Sequence, residues 1–325
     1  MTSATELDSR VRSLLGRDIP APVLEVFRGI GQIFFQEHAL SGMLILLGVA
    51  AGSPLVALGG LLGAAIGWGV ARLLVFDRSE IEAGIYGFNA SLVGMATFFF
   101  FRPGPVSIVL LAAGAAVATA ATRLARRHVP FPTYTAPFIV TTWVLFLVGV
   151  GLGLARSDPG GVPEVGLFGS VAHGVSQVMF QASVVTAILF LAGIAVGDWR
   201  HAAWVLAGAV VGTLLGSYHG TVAARAIDPE VLVERGLFDN VALGLYGYNA
   251  TLAAVALWLA KRSFIPPLLG MVLSVPLTDL VPMLGIPALT APFVLATWIV
   301  LGLGWLDGRL APRTTPPAAV ADPGA

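Results

Sequence analysis

Three short blocks occur twice along this chain, in the same order, and that duplication constrains the fold more than any other feature. GIGQIFFQ at 29–36 is answered by GVSQVMFQ at 174–181. GIYGFNASL at 84–92 returns as GLYGYNATL at 244–252, and PTYTAPFIVTTW at 132–143 returns as PALTAPFVLATW at 287–298. The offsets are 145, 160 and 155 residues, so the length differences fall in the connections and the blocks stay intact. The largest insertion is the polar segment Ser217–Asn240 of the second half, expected on the extracytoplasmic side.

The residues around the blocks set the environment. Of 325 residues, 57% are apolar and 11% are charged, whereas a soluble domain carries about 25% charged residues. So few charges cannot cover a water-facing surface, so most of the surface faces lipid. A helix needs about 20 apolar residues to cross a hydrocarbon core about 30 Å thick. Hydrophobic runs between Gly, Pro and charge punctuation give ten spans: 39–53, 55–76, 83–101, 105–122 and 134–155, then 182–197, 202–217, 240–260, 263–281 and 288–306. Ahead of each set lies a shorter apolar stretch with a Gln, 22–36 and 165–181, with no polar connector to the next span. These read as half-helices that enter the membrane and stop; an ordinary short first helix is the alternative.

The expected fold is therefore all-α and integral to the membrane, with ten transmembrane helices plus two re-entrant half-helices. Five spans per half is an odd number, so the second half enters from the opposite side, giving an inverted repeat. The boundaries are 1–21 for a polar N-terminal segment, 22–156 and 157–310 for the halves, and 311–325 for a Pro- and Ala-rich tail expected to be disordered. Ten crossings put thirteen basic residues on the side of the termini and four (Arg102, Arg156, Arg225, Arg235) on the other, with Arg72 inside a span. The positive-inside rule then makes both termini cytoplasmic. The N-terminus has no signal-peptide pattern, so the spans themselves are expected to drive insertion into the cell membrane.

Several functions are excluded. Zero net charge gives no basic footprint for nucleic acid. There is no cysteine, and the five histidines show no metal-ligand spacing, so neither thiolate chemistry nor a cofactor is called for. No nucleophile–base pair recurs in the spans, which argues against an enzyme. Within the ten spans only Arg72 and Asp279 are charged, and both read as structural or interfacial. An ion-coupled transporter usually keeps more intramembrane ionisable groups.

The repeated residues carry a specific chemistry. Phe88 and Leu92 share one helix face, as do Tyr248 and Leu252; such a stripe is either core packing or the wall of a slot. Asn89 and Asn249 read as supports that bond neighbouring helices, because a buried amide needs partners. Pro137 and Pro292 cannot donate backbone hydrogen bonds and disfavour helical geometry at the preceding Ala. Thr135 and Thr290 sit just upstream, where their hydroxyls either satisfy local carbonyls or face a solute. Gln32 with Phe35, and Gln177 with Phe180, lie three apart on one face of each half-helix, offering a carbonyl oxygen beside an aromatic ring. Acceptor rows flanked by aromatic faces suit a flat, neutral molecule rich in N–H groups.

With these blocks in this order, the chain resembles the urea transporter (urea channel) family, bacterial type, over roughly residues 22–306. The resemblance implies passive conduction of urea by a homotrimer with one pore per subunit. It implies that Gln32 and Gln177 are polar filter residues, and that Phe35, Phe88, Phe180 and Tyr248 form aromatic slots. Leu92 and Leu252 would narrow the slots, and Thr135 and Thr290 would present hydroxyls at the centre. Gln177 and Tyr248 depart from the Glu and Phe expected there in many relatives. The alternatives are a channel for another small neutral solute, such as a short amide or ammonia, and an ion-coupled transporter. The histidines occupy no matching repeat positions, which argues against ammonia.

Overall fold

A computed structural model of the chain describes residues 19–158, 161–226 and 237–310. The segment before Ile19, the tail from Ala311, and the central part of the Ser217–Asn240 insertion lie outside the described residues.

The described residues are helical, and the one strand-like feature among them is an isolated bridge between Phe101 and Arg156. The first half comprises α1 (Ala21–Gly31), α2 (Ala39–Gly52), α3 (Pro54–Leu73), the short α4 (Arg78–Glu82), α5 (Phe88–Phe100), α6 (Pro105–His128) and α7 (Ala136–Gly151). The second comprises α8 (Leu167–Ser176), α9 (Val184–Gly197), α10 (Trp199–Ala226), the short α11 (Leu237–Ala242), α12 (Gly247–Lys261), α13 (Ile265–Leu280) and α14 (Ala291–Leu310). Each hydrophobic run read from the sequence holds a helix. By length and composition, four helices suffice to cross a bilayer, or six if the bent pairs α1–α2 and α8–α9 each count as one span. Those pairs bend by 72° and 67°. Exposed Leu, Val, Ile and Phe side chains cover the outside, as a surface facing hydrocarbon requires.

The bends have a local cause. After a 3₁₀ turn at Gln32–Phe34, Phe35 adopts a left-handed conformation (φ 60°); after Gln177–Met179, Phe180 does the same (φ 61°). The amides of Phe35 and Gln36 bond back to the carbonyls of Gln32 and Gly31, and those of Phe180 and Gln181 to Gln177 and Ser176. This is a Schellman end, a position that glycine usually fills. A side chain there costs about 1–2 kcal/mol, and such strain concentrates at functional sites.

The second expected break lies two residues upstream of its sequence position. Ala136 and Ala291 are already helical, and the chain turns instead at Tyr134 and Leu289, both with φ 47°. A proline in the first helical turn surrenders only an N–H that has no intrahelical acceptor, so Pro137 and Pro292 start helices rather than kink them. Likewise the long helices of the 83–101 and 240–260 runs begin only at Phe88 and Gly247, the second after the short α11 has ended at Ala242. Turns containing Gly84 (φ 82°) and Gly244 (φ 76°) precede them. A Cβ on Gly84 would strike the backbone of Arg28 and Gly29, and one on Gly244 that of His173 and Gly174. Glycine here lets each half-helix lie backbone-to-backbone on the turn before α5 or α12.

The halves meet through equivalent helices. Along α2 and α9, Gln36 packs over Gly197, Ser41 against Gly193, Gly48 against Phe190, and Gln181 over Gly52. One set of numbers rises as the other falls, so the two helices run antiparallel. Thr186 Oγ1 donates to the Gly48 carbonyl at 2.8 Å across this contact. The continuous apolar core draws on both halves, including Ile45, Val49, Phe190 and Ile194.

Candidate functional site

The half-helices are anchored by matching bonds. Gln32 Nε2 donates to the Ala83 carbonyl at 2.8 Å, and Gln177 Nε2 to the Leu243 carbonyl at 3.1 Å. Arg28 Nη1 donates to the Glu82 carbonyl, and His173 Nδ1 lies against the Ala242 carbonyl, each at 2.7 Å. With its amide nitrogen committed to backbone, each glutamine keeps its side-chain oxygen as an acceptor. Gln32 lines a cavity of about 480 Å³; Gln177 lines one of about 930 Å³.

Asn89 and Asn249 are supports, as their sequence context indicated. Asn89 Oδ1 accepts from the Phe138 amide at 3.2 Å, and Asn249 Oδ1 from the Phe293 amide at 3.1 Å. These amides belong to the first turns of α7 and α14, where no intrahelical acceptor is available. Asn89 Nδ2 also donates to Thr122 Oγ1 at 2.9 Å, and both Asn Nδ2 atoms lie 3.4 Å from the carbonyls of Tyr134 and Leu289. The asparagines thus fix where α7 and α14 begin, and with them the threonines just ahead.

Thr135 Oγ1 and Thr290 Oγ1 are 2.7 Å apart, and both side chains are buried. Thr135 lines the smaller cavity and Thr290 the larger. The two cavities therefore approach each other at a hydrogen-bonded pair of repeat-related hydroxyls. Phe35 and Phe88 line the smaller cavity, while Phe180 and Tyr248 line the larger. Leu92 and Leu252, each 1% exposed, sit in the core one turn beyond and are absent from both linings.

Sequence reasoning missed several lining residues. Tyr134 packs edge-on to Phe35 (centroids 6.1 Å apart), and Phe99 tilts against Phe180 at 4.8 Å. Phe138 of the first half lines the larger cavity, and Phe293 of the second lines the smaller. Trp143 Nε1 donates to the Pro287 carbonyl at 2.8 Å, and Trp298 Nε1 to the Pro132 carbonyl at 2.9 Å. Both tryptophans end a duplicated block, which was the available signal. Each block is thereby clamped to the opposite half, and the exchange is reciprocal, as a two-fold relation requires.

The two intramembrane charges part company. Arg72 lies 3.7 Å from Glu25, which also accepts from Trp68 Nε1 at 2.6 Å, so it is structural. Asp279 accepts from the Tyr246 hydroxyl at 2.8 Å, lies 3.2 Å from His219 Nδ1, and lines the larger cavity. Among the described residues no cluster of His, Cys, Asp or Glu has the makings of a metal site.

An all-helical body with an apolar exterior and two aromatic-lined cavities converging on paired hydroxyls defines an integral membrane transport protein. The family model for urea transporters matches residues 23–304, and the chain belongs to that family. Membership makes it a transport protein and not an enzyme. Among similar curated proteins, urea transporter 1 of Ovis aries is 26% identical over 310 residues, covering 85% of this chain and 75% of that protein. Urea transporter 1 of Mus musculus is 28% identical over 257 residues, covering 71% and 62%.

Proposed function

We propose that the chain conducts urea passively across the cell membrane, through a narrow path joining the two cavities. One observation carries the reading. Thr135 and Thr290 bond across the repeat at 2.7 Å, each lining a cavity that also holds a glutamine and two of the aromatic residues predicted to face the solute. Urea is planar, neutral and rich in N–H groups. It must exchange water for acceptors as it enters, and Gln32, Gln177 and the threonine hydroxyls offer them. Phe35 with Phe88, and Phe180 with Tyr248, are the slot walls that hold the plane; Leu92 and Leu252 back those walls.

The proposed layout is two halves, 22–156 and 157–310, each with five crossings and one re-entrant half-helix, inverted relative to each other. Antiparallel packing of α2 on α9 and the reciprocal tryptophan bonds support it, since equivalent elements meet this way about an axis lying in the membrane. Both termini are then cytoplasmic, and the assembly is a homotrimer with a pore in each subunit.

Stopped-flow light scattering on proteoliposomes tests the function. Urea flux should exceed that of protein-free vesicles and be indifferent to proton or sodium gradients. No excess flux rejects urea conduction; gradient dependence rejects a passive channel.

A further inference from the structure

We infer that the path is asymmetric because the Tyr248 hydroxyl occupies an acceptor in the second half that its counterpart leaves open in the first. This deepens the urea-conducting reading and rests on it.

Several bonds recur at equivalent positions in the two halves, among them those of Gln32 and Gln177 and of Asn89 and Asn249. Tyr134 and Leu289 are equivalent, share a left-handed backbone (φ 47°), and precede the central threonines. Their carbonyls each lie 3.4 Å from the supporting asparagine, a long contact. In the first half that asparagine is better engaged by Thr122, at 2.9 Å, and Phe88 has no hydroxyl. The Tyr134 carbonyl therefore keeps lone-pair capacity on a residue that lines the smaller cavity. In the second half the buried Thr278 takes the place of Thr122, lining the larger cavity and donating to the Ser274 carbonyl as Thr122 does to Ala118, and Phe88 is replaced by Tyr248. The Tyr248 hydroxyl donates to the Leu289 carbonyl at 2.5 Å, on a residue that lines the larger cavity. The hydroxyl is spent on backbone.

A carbonyl oxygen has two lone pairs. With a short O–H donor and an asparagine already on Leu289, a solute N–H finds little capacity left. The second slot keeps its aromatic wall but loses a rung of acceptors, so urea is held more weakly there than beside Tyr134. Tyr248 is a specificity-determining residue through its oxygen, separately from the packing of its ring.

The test compares wild type, Tyr248→Phe and Phe88→Tyr in liposomes, measuring urea flux against urea concentration. Tyr248→Phe should lower the half-saturating concentration about fivefold, the factor that matches one net hydrogen bond. Phe88→Tyr, which places a hydroxyl near the Tyr134 carbonyl, should raise it by a similar factor. A merely structural hydroxyl would shift maximal flux or thermal stability and leave half-saturation unchanged. If wild type conducts urea and neither variant moves half-saturation in the stated direction, this inference fails while urea conduction stands. If wild type shows no urea flux above protein-free vesicles, urea conduction fails and takes the inference with it. Should Tyr248→Phe not fold, Phe88→Tyr alone decides.

Discussion

The hydroxyls of Thr135 and Thr290 lie 2.7 Å apart, one facing each cavity, so two residues 155 positions apart in sequence form one polar pair at the centre of the protein. Either hydroxyl can donate to the other while accepting from a solute, so neither is wholly consumed by the pair.

Replacing Thr135 with Val keeps the shape and removes the hydroxyl. Urea flux should fall about tenfold, the effect of one hydrogen bond worth about 1.4 kcal/mol in a transition state. The melting temperature in detergent should drop by only a few degrees. Unchanged flux would make the pair purely structural.

Asn89→Ala should damage stability and flux together. It strips the Phe138 amide of its acceptor, at a cost of about 1–3 kcal/mol for a buried unsatisfied donor. Asn249→Ala, which deprives Phe293 in the same way, should cost as much. Thermal denaturation of the purified variants gives the comparison, and a loss at only one site would disprove equivalent roles.

Trp143→Phe keeps one aromatic ring, trims the other half of the indole and deletes its bond to the Pro287 carbonyl. A loss of about 1 kcal/mol is expected, and the same for Trp298→Phe. The double variant should lose at least the sum, because both bonds close the same contact between halves. A double variant as stable as wild type would remove the clamp from the account.

Phe88→Ala should leave the chain folded but widen the first slot. Uptake of N-methylurea relative to urea should then rise severalfold in the liposome assay. Selectivity equal to wild type would show that Phe88 does not border the solute.

Much of this was legible from spacing. The duplicated blocks located Gln32, Phe35, Thr135 and their counterparts, and the Asn beside each aromatic pointed to helix support because a buried amide needs partners. Proline was misleading in one respect. It marks the start of α7 and α14, and the break itself falls at Tyr134 and Leu289, where no residue type announces a left-handed backbone. Phe35 and Phe180 are similarly silent, since their turn is one that glycine normally signals. Tyr134, Phe99, Phe138 and Phe293 escaped notice because what brings them to the cavities is the crossing of the halves, which leaves no local pattern.

Read alone, the order of residues marks a duplicated membrane protein, with few intramembrane charges and a matched set of amide, aromatic and hydroxyl residues. Composition and repetition are sufficient for that, because lipid excludes charge and each copy of a block performs the same local task. Which oxygens those residues leave unspent depends on how the two halves pack in three dimensions. Gln32 and Gln177 commit their nitrogens to Ala83 and Leu243, Asn89 and Asn249 cap the facing helices, and Tyr248 closes the Leu289 carbonyl. Each of these bonds joins residues at least 40 positions apart, and a donor's choice among distant carbonyls is set by how helices pack.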